Sequence, residues 1–206
     1  MRSISTIWFR ARRPVLDFLR DRSGIAATEF AFIVPLMLVL FFGTVEFSSG
    51  IAVDRKVTLT ARSLSDLVSQ NTSVTTSQLS TIFQAATAIM TPYYSTASLS
   101  PYPASPMTGT VSELYVDPNT LEARVEWSVG TSPIAVSTVV AIPSTLQTGG
   151  TYLIYSQISF QYVPTIGYVM APAGVTLSDV AYTRPRQSLC VFYPPPTTTT
   201  PACPTN

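Results

Sequence analysis

Hydrophobic and polar positions divide this chain into stretches of different period. From Phe30 to Val45 the run FAFIVPLMLVLFFGTV contains no charged side chain. Unbroken apolarity has neither the one-sided stripe of a surface helix nor the alternation of a half-buried strand. As a helix it reaches about 24 Å, and with Ile25, Ala26, Ala27 and Phe47 added it crosses the roughly 30 Å of a bilayer's hydrocarbon. A buried core helix is the alternative reading, but the rest of the chain is too small to wrap such a helix on every side. A membrane span over 25–47 is therefore predicted, with Pro35 removing one backbone hydrogen bond and kinking it.

Beyond the span, Val57, Ala61, Leu64 and Val68 recur at spacings of four, three and four, while Arg55, Lys56, Arg62, Ser65 and Asp66 fall elsewhere. This is the pattern of an amphipathic helix, predicted to continue the span as a stalk over 48–70. Its apolar stripe packs either on its own domain or on a neighbouring subunit. A second helix is predicted over Ser77–Met90, where Leu79, Ile82, Phe83, Ala86 and Met90 make one face, Ser77 caps it and Pro92 ends it. Thr91 to Gly109, with Pro92, Pro101, Pro103 and Pro106, reads as a loop.

From there the period shortens to two. Val111–Asp117 and Leu121–Val129 flank a Pro118-Asn119 turn and predict a hairpin, and Thr151–Val163 and Val175–Thr183 supply two further strands. Four antiparallel strands with one or two packed helices make an α+β domain over 71–189, on a long amino-terminal transmembrane helix. The remaining residues 190–206, CVFYPPPTTTTPACPTN, are low in complexity; their prolines favour extended polyproline II and predict a solvated tail.

Charge changes this picture in one place. The totals nearly cancel, with 12 Lys+Arg against 11 Asp+Glu, which leaves no field of the kind a nucleic-acid binder needs. Yet Arg2, Arg10, Arg12, Arg13, Arg20 and Arg22 all precede the span and only Asp17 and Asp21 oppose them. By the positive-inside rule a basic leader over 1–24 stays cytoplasmic and the body is exported. A cleaved secretory signal is a second reading, with Ser48-Ser49-Gly50 as small residues for cleavage. The stretch is longer than an ordinary signal core, however, and Glu29 lies inside it. Cys190 and Cys203 fall on the exported side, where disulfides form. A bridge between them would stabilise the fold by about 3 kcal/mol in the chain-entropy model; free thiols and an intermolecular bridge are the other readings.

A carboxylate in an apolar span costs about 2.5–3.5 kcal/mol at a helix centre. Near the first turn of a helix the macrodipole returns about 0.3–1 kcal/mol, which accounts for tolerance of Glu29 but not for its placement. Gly24 and Glu29 read together as G-IAATE-F behind a basic leader. That string resembles the type IVb prepilin signal of tight-adherence (Flp) pili, in which a membrane-embedded prepilin peptidase cuts after the glycine. The resemblance implies a cut between Gly24 and Ile25, and an assembly role for Glu29 against a neighbouring subunit's new amino terminus.

The longer run ATEFAFIVPLMLVLFFGTVEFSSGIAVDRKVTLTARSLSDLV resembles the TadE-like domain of minor pilin-like assembly proteins. Glu29, Pro35, Glu46, Ala61 and Arg62 occupy that family's places. More weakly, QISFQYVPTIG and SDVAYTRPR resemble its closing strands. The resemblance implies a pilin-like fold, a place in the bacterial inner membrane with the domain in the periplasm, and as partners the prepilin peptidase, other pilins and Tad pilus assembly proteins.

Catalysis finds little support. The chain has no histidine, which excludes Ser-His-Asp and Cys-His chemistry and His-bearing zinc sites. No glycine-rich phosphate loop, acidic calcium loop or cysteine cluster occurs, so no cofactor or metal is expected. The carboxylate pairs Glu122/Glu126 and Glu113/Asp117 read as a solvated strand edge. Tyr93, Tyr94, Tyr102, Tyr152, Tyr155, Tyr162, Tyr168 and Tyr182 read as sheet packing, with an adhesive or glycan-binding surface as the alternative. The expected role is a minor pilin-like (pseudopilin) subunit acting by packing. An unprocessed membrane-anchored binding module is the competing reading, and an envelope enzyme a distant third.

Overall fold

The charge-free run and the apolar stripe behind it lie on one helix, α1, Ser23–Ser69, with Pro35 inside it. The computed structural model describes residues 23–94, 102–103, 105–164, 174–197 and 202–205; the basic leader, Tyr168 and most of the threonine run lie outside the described residues. The chain divides into two units, Met1–Val45 and Glu46–Asn206.

In the first unit the described residues are helical and solvent-facing, with Phe32 83% and Leu36 61% exposed. Two threonine hydroxyls here are satisfied within the helix: Thr28 Oγ1 donates to the Ile25 carbonyl and Thr44 Oγ1 to that of Leu40, each at 2.8 Å. Internal hydrogen bonding of this kind is what hydrocarbon demands of a polar group. The length and apolarity of α1, with none of its apolar window buried, fit a membrane anchor.

The second unit is an antiparallel sheet with helices on one face, the predicted α+β class. Its strands are β1 Met107–Val116, β2 Ala123–Gly130, β3 Val139–Val140, β4 Tyr152–Tyr162 and β5 Val175–Thr183. They order as β3-β2-β1-β4-β5, every neighbour antiparallel. The sheet therefore has five strands rather than four, because β3 is a two-residue pairing with β2 too short to show an alternation. β1 starts at Met107, inside the stretch read as loop.

On the helix face the stripe Val53, Val57, Ala61, Leu64 and Val68 is fully buried against Val111, Trp127, Ile154 and Ile158. The stripe thus packs on its own domain. The second helix, α2, is Thr76–Thr87, continued by a 3-10 turn Ala88–Met90. Thr75, not Ser77, caps it: the Gln78 N–H donates to Thr75 Oγ1 at 3.2 Å and the Thr75 N–H to Gln78 Oε1 at 2.8 Å, a reciprocal capping box. Lys56 Nζ joins the two helices by donating to the carbonyls of Ile89 (2.8 Å) and Thr91 (2.7 Å). The opposite sheet face buries Leu114, Val116, Val125 and Leu153 beneath Ile134, Ile142 and Leu146 from the β2–β4 connection.

Register slips once. Glu113 stands opposite Trp127, but Leu114 stands opposite Val125, leaving Glu126 as the extra residue of a bulge. An extra residue reverses the alternation, so Trp127 and Val129 join the helix-side core while Ala123 and Val125 join the other. At the end of β2, Gly130 (φ +149°) has no alternative, since a Cβ there would lie 2.2 Å from the Gly109 carbonyl oxygen.

Candidate functional site

Gly24, Ile25 and Glu29 occupy the first turns of α1, and all three are exposed. Ile25 and Glu29 are four positions apart, which sets them one above the other on a single helix face. A Cβ at Gly24 would meet nothing within 4 Å, so the fold itself places no demand for glycine there. Glu29 is a carboxylate on an otherwise apolar exposed surface, a placement that costs energy in hydrocarbon until a cation meets it.

Farther along α1 the Glu46 carboxylate is half-buried and accepts the Tyr162 hydroxyl at 3.4 Å. Burial, then the Glu46 charge, raises the Tyr162 phenol above its ordinary range. The Ala61-Arg62 pair divides its work between two faces. Ala61 has no exposure and its carbonyl accepts Ser156 Oγ from β4 at 2.6 Å, an approach of helix to strand that a longer side chain at 61 would obstruct. Arg62 faces outward into an open cleft of about 580 Å³ shared with Ser65, Asp66, Val180–Thr183 and Arg186. One turn on, Ser65 Oγ meets Thr183 Oγ1 of β5 at 2.9 Å.

The carboxylates expected at a solvated edge are divided by the structure. Glu122 is exposed and paired with Arg124 at 2.6 Å. Asp117 is half-buried, and the Asn119 and Thr120 N–H groups that its Oδ1 accepts hold it below its usual range. Glu113 and Glu126, by contrast, are buried, at 0% and 6% exposure. The reading as an edge fails for them because β1 is the central strand and the bulge turns Trp127 over Glu113. Glu113 Oε1 accepts the Val191 N–H at 2.6 Å and Oε2 the Trp127 Nε1–H at 3.0 Å, while the same indole N–H lies 2.7 Å from the Val191 carbonyl. Burial outweighs these two donors, and with the nearby Glu126 charge the Glu113 carboxyl is pushed up to about 8.

This knot also corrects the expectation of a solvated tail. Cys190 and Val191 are completely buried, and Phe192 exchanges backbone hydrogen bonds with the turn between the helices, Phe192 N to Thr72 O (3.1 Å) and Val74 N to Phe192 O (2.9 Å). Cys190 and Cys203 are joined in a disulfide with their Cα atoms 5.9 Å apart. Tyr152 is closed over by the returning tail: its hydroxyl donates to the Pro204 carbonyl at 2.6 Å, and burial, followed by the Glu126 charge, pushes its phenol up to about 12.

Most of the tyrosines are consumed by packing. Tyr115 stacks on Tyr152 and Tyr155 on Tyr182, with centroids 5.0 and 5.3 Å apart, and Tyr102 meets Phe83 edge-on. Tyr93 is 38% exposed and carries Lys56 Nζ 5.9 Å from its ring centre. Among the described residues no three His, Cys, Asp or Glu side chains gather where they could hold a metal ion.

No curated protein and no solved structure matches the chain. A family model described as TadE-like protein matches residues 24–64, a range that opens on Gly24 and closes just past the Ala61-Arg62 pair. Over residues 24–64 the chain is similar to the TadE-like family.

Proposed function

We propose that the protein is a minor pilin-like subunit of a tight-adherence type IVb pilus, anchored in the inner membrane with its leader cytoplasmic and its α+β unit periplasmic. Prepilin peptidase cuts between Gly24 and Ile25, and the apolar helix stays on the mature chain. Glu29 then meets the amino terminus of a neighbouring subunit, a pairing that in low dielectric offsets part of its desolvation. Packing is the whole of the mechanism, with other pilins and Tad assembly proteins as the partners and no catalysis.

One observation carries this reading: within the TadE-like segment, the half of α1 that follows the signal leaves its apolar side chains uncovered, while the other half buries the stripe Val53, Val57, Ala61 and Leu64 in its own domain. An uncovered apolar helix suits both a bilayer and a bundle of like helices. The unneeded glycine at 24 also favours recognition by a peptidase over a role in packing.

The test is the intact mass and amino-terminal residue of membrane-extracted protein made with and without the cognate peptidase. Peptidase-dependent appearance of Ile25 as first residue is expected. A chain still beginning at Met1 in both preparations would replace the processed subunit by a permanently anchored binding module. Glu29→Ala is expected to leave membrane insertion intact and to reduce pilus number; normal piliation would remove Glu29 from assembly.

A further inference from the structure

We infer that the outer edge of β5, together with the cleft at Arg62, is a docking site for an extended segment of a partner protein bearing a carboxylate, which joins the sheet as an added strand. The two edges of the five-stranded sheet are treated differently. One edge is β3, only two residues long, and the chain around it folds back onto β2: Val125 N donates to Thr138 O (3.0 Å), Ser137 N to Val125 O (2.7 Å) and Ile134 N to Ser128 Oγ (2.9 Å). At the other edge β5 pairs with β4 residue for residue from Val175 to Thr183, with no slip. Among the described residues nothing pairs with its far side. Long edge strands are ordinarily blunted by proline, lysine or a bulge, because unpaired N–H and C=O groups template a further strand. β5 has none of the three.

A single device guards it. The Asp179 carboxylate accepts the Val180 N–H at 2.8 Å, and so occupies an amide of the strand without covalently closing the edge. Asp179 also argues against a second copy as the occupant. Pairing two β5 strands antiparallel over Val175–Thr183 places Asp179 opposite Asp179, and like charges directly opposed destabilise a ladder.

Charge in the cleft points to the chemistry of the occupant. Asp66 is already satisfied, by an ion pair with Arg186 and by Gln70 Nε2 at 2.9 Å. Arg62, exposed at the rim, makes no side-chain hydrogen bond or ion pair among the described residues. Its uncompensated guanidinium beside a free strand edge is complementary to a carboxylate, which it binds with two parallel hydrogen bonds. Strand addition supplies affinity through main-chain bonds and the arginine supplies selection, the division seen wherever a peptide augments a sheet. The site lies in the α+β unit, and its occupancy does not depend on cleavage at Gly24 or on the role of Glu29.

The test uses the full-length protein in detergent with two synthetic peptides, each alternating threonine and valine, one with a central glutamate and one with a central lysine. Hydrogen–deuterium exchange of β5 is followed. The glutamate peptide is expected to slow exchange in β5 by about tenfold and the lysine peptide to leave it unchanged. Arg62→Glu is expected to reverse that preference without altering exchange in the free protein. Val180→Pro removes the N–H that Asp179 accepts and is expected to abolish protection by either peptide. Equal protection by both peptides, no protection by either, or an unchanged preference in Arg62→Glu overturns the inference.

Discussion

The two units use the same kind of side chain and bury it by different means. In the anchor unit Phe32 and Leu36 stand open at 83% and 61% exposure, whereas in the α+β unit Leu64 and Val57, on the same helix, are at 0%. Burying one such side chain contributes about 1.5–3 kcal/mol, so the second unit supplies its own stabilisation and the first depends on a non-aqueous surrounding for it. Hydrophobicity alone does not separate the two; the polar positions do. Where Arg55, Arg62 and Asp66 interrupt the apolar residues they mark a solvent side, and the domain's own sheet covers the other.

The contrast can be broken most directly at two leucines. Leu64→Ala is expected to cost the α+β unit about 2–5 kcal/mol, read as a lower denaturant midpoint by fluorescence of the buried Trp127. Leu38→Ala, at a site 48% exposed in the anchor, is expected to shift that midpoint by less than about 0.5 kcal/mol equivalent. Equal losses would mean that the anchor helix is part of the same cooperative core.

The contrast is sharpened by titration, since Glu113 belongs to the second unit alone. Its carboxyl sits at about 8 in the folded protein against an ordinary 4.5, so between those values the folded state keeps a proton that the unfolded state has released. The contribution is therefore fully present below the ordinary carboxylate range and lost as pH rises toward 8, with a slope of at most about 1.4 kcal/mol per pH unit. Urea unfolding across that window should show stability falling with pH, and Glu113→Gln should flatten the fall. A pH-independent wild-type midpoint would mean that the buried group is ionised throughout. Smaller still, Thr75→Ala removes one half of the α2 capping box and should cost about 1 kcal/mol, seen as a lower unfolding midpoint of the α+β unit with membrane partitioning unaffected.

What was legible in the sequence was whatever repeats along it. The charge-free run, the Val57–Val68 stripe and the alternation in β4 and β5 each draw on a local period, and the helix and strands formed where those periods lie. The TadE-like likeness that opens at Gly24 was legible as a string of residue types. Features that depend on distant partners were hidden. Glu113 and Glu126 read as solvated because carboxylates usually are, and neither the bulge that rearranges β2 nor the Val191 N–H has a signature around residue 113. The tail was masked by its own composition: proline and threonine dominate it, while the residues that dock are Cys190, Val191 and Phe192 at its start. The Thr75 cap, by contrast, had a signal in the T-x-x-Q spacing to Gln78 that precedes the apolar face of α2.

The Glu113–Trp127–Val191 knot sets an order of events in synthesis. The central strand of the sheet keeps a buried acid and an indole whose partners arrive only with residue 191. Until that stretch has left the ribosome the domain lacks the lid over its core. Native closure is thereby deferred until all five strands have been made.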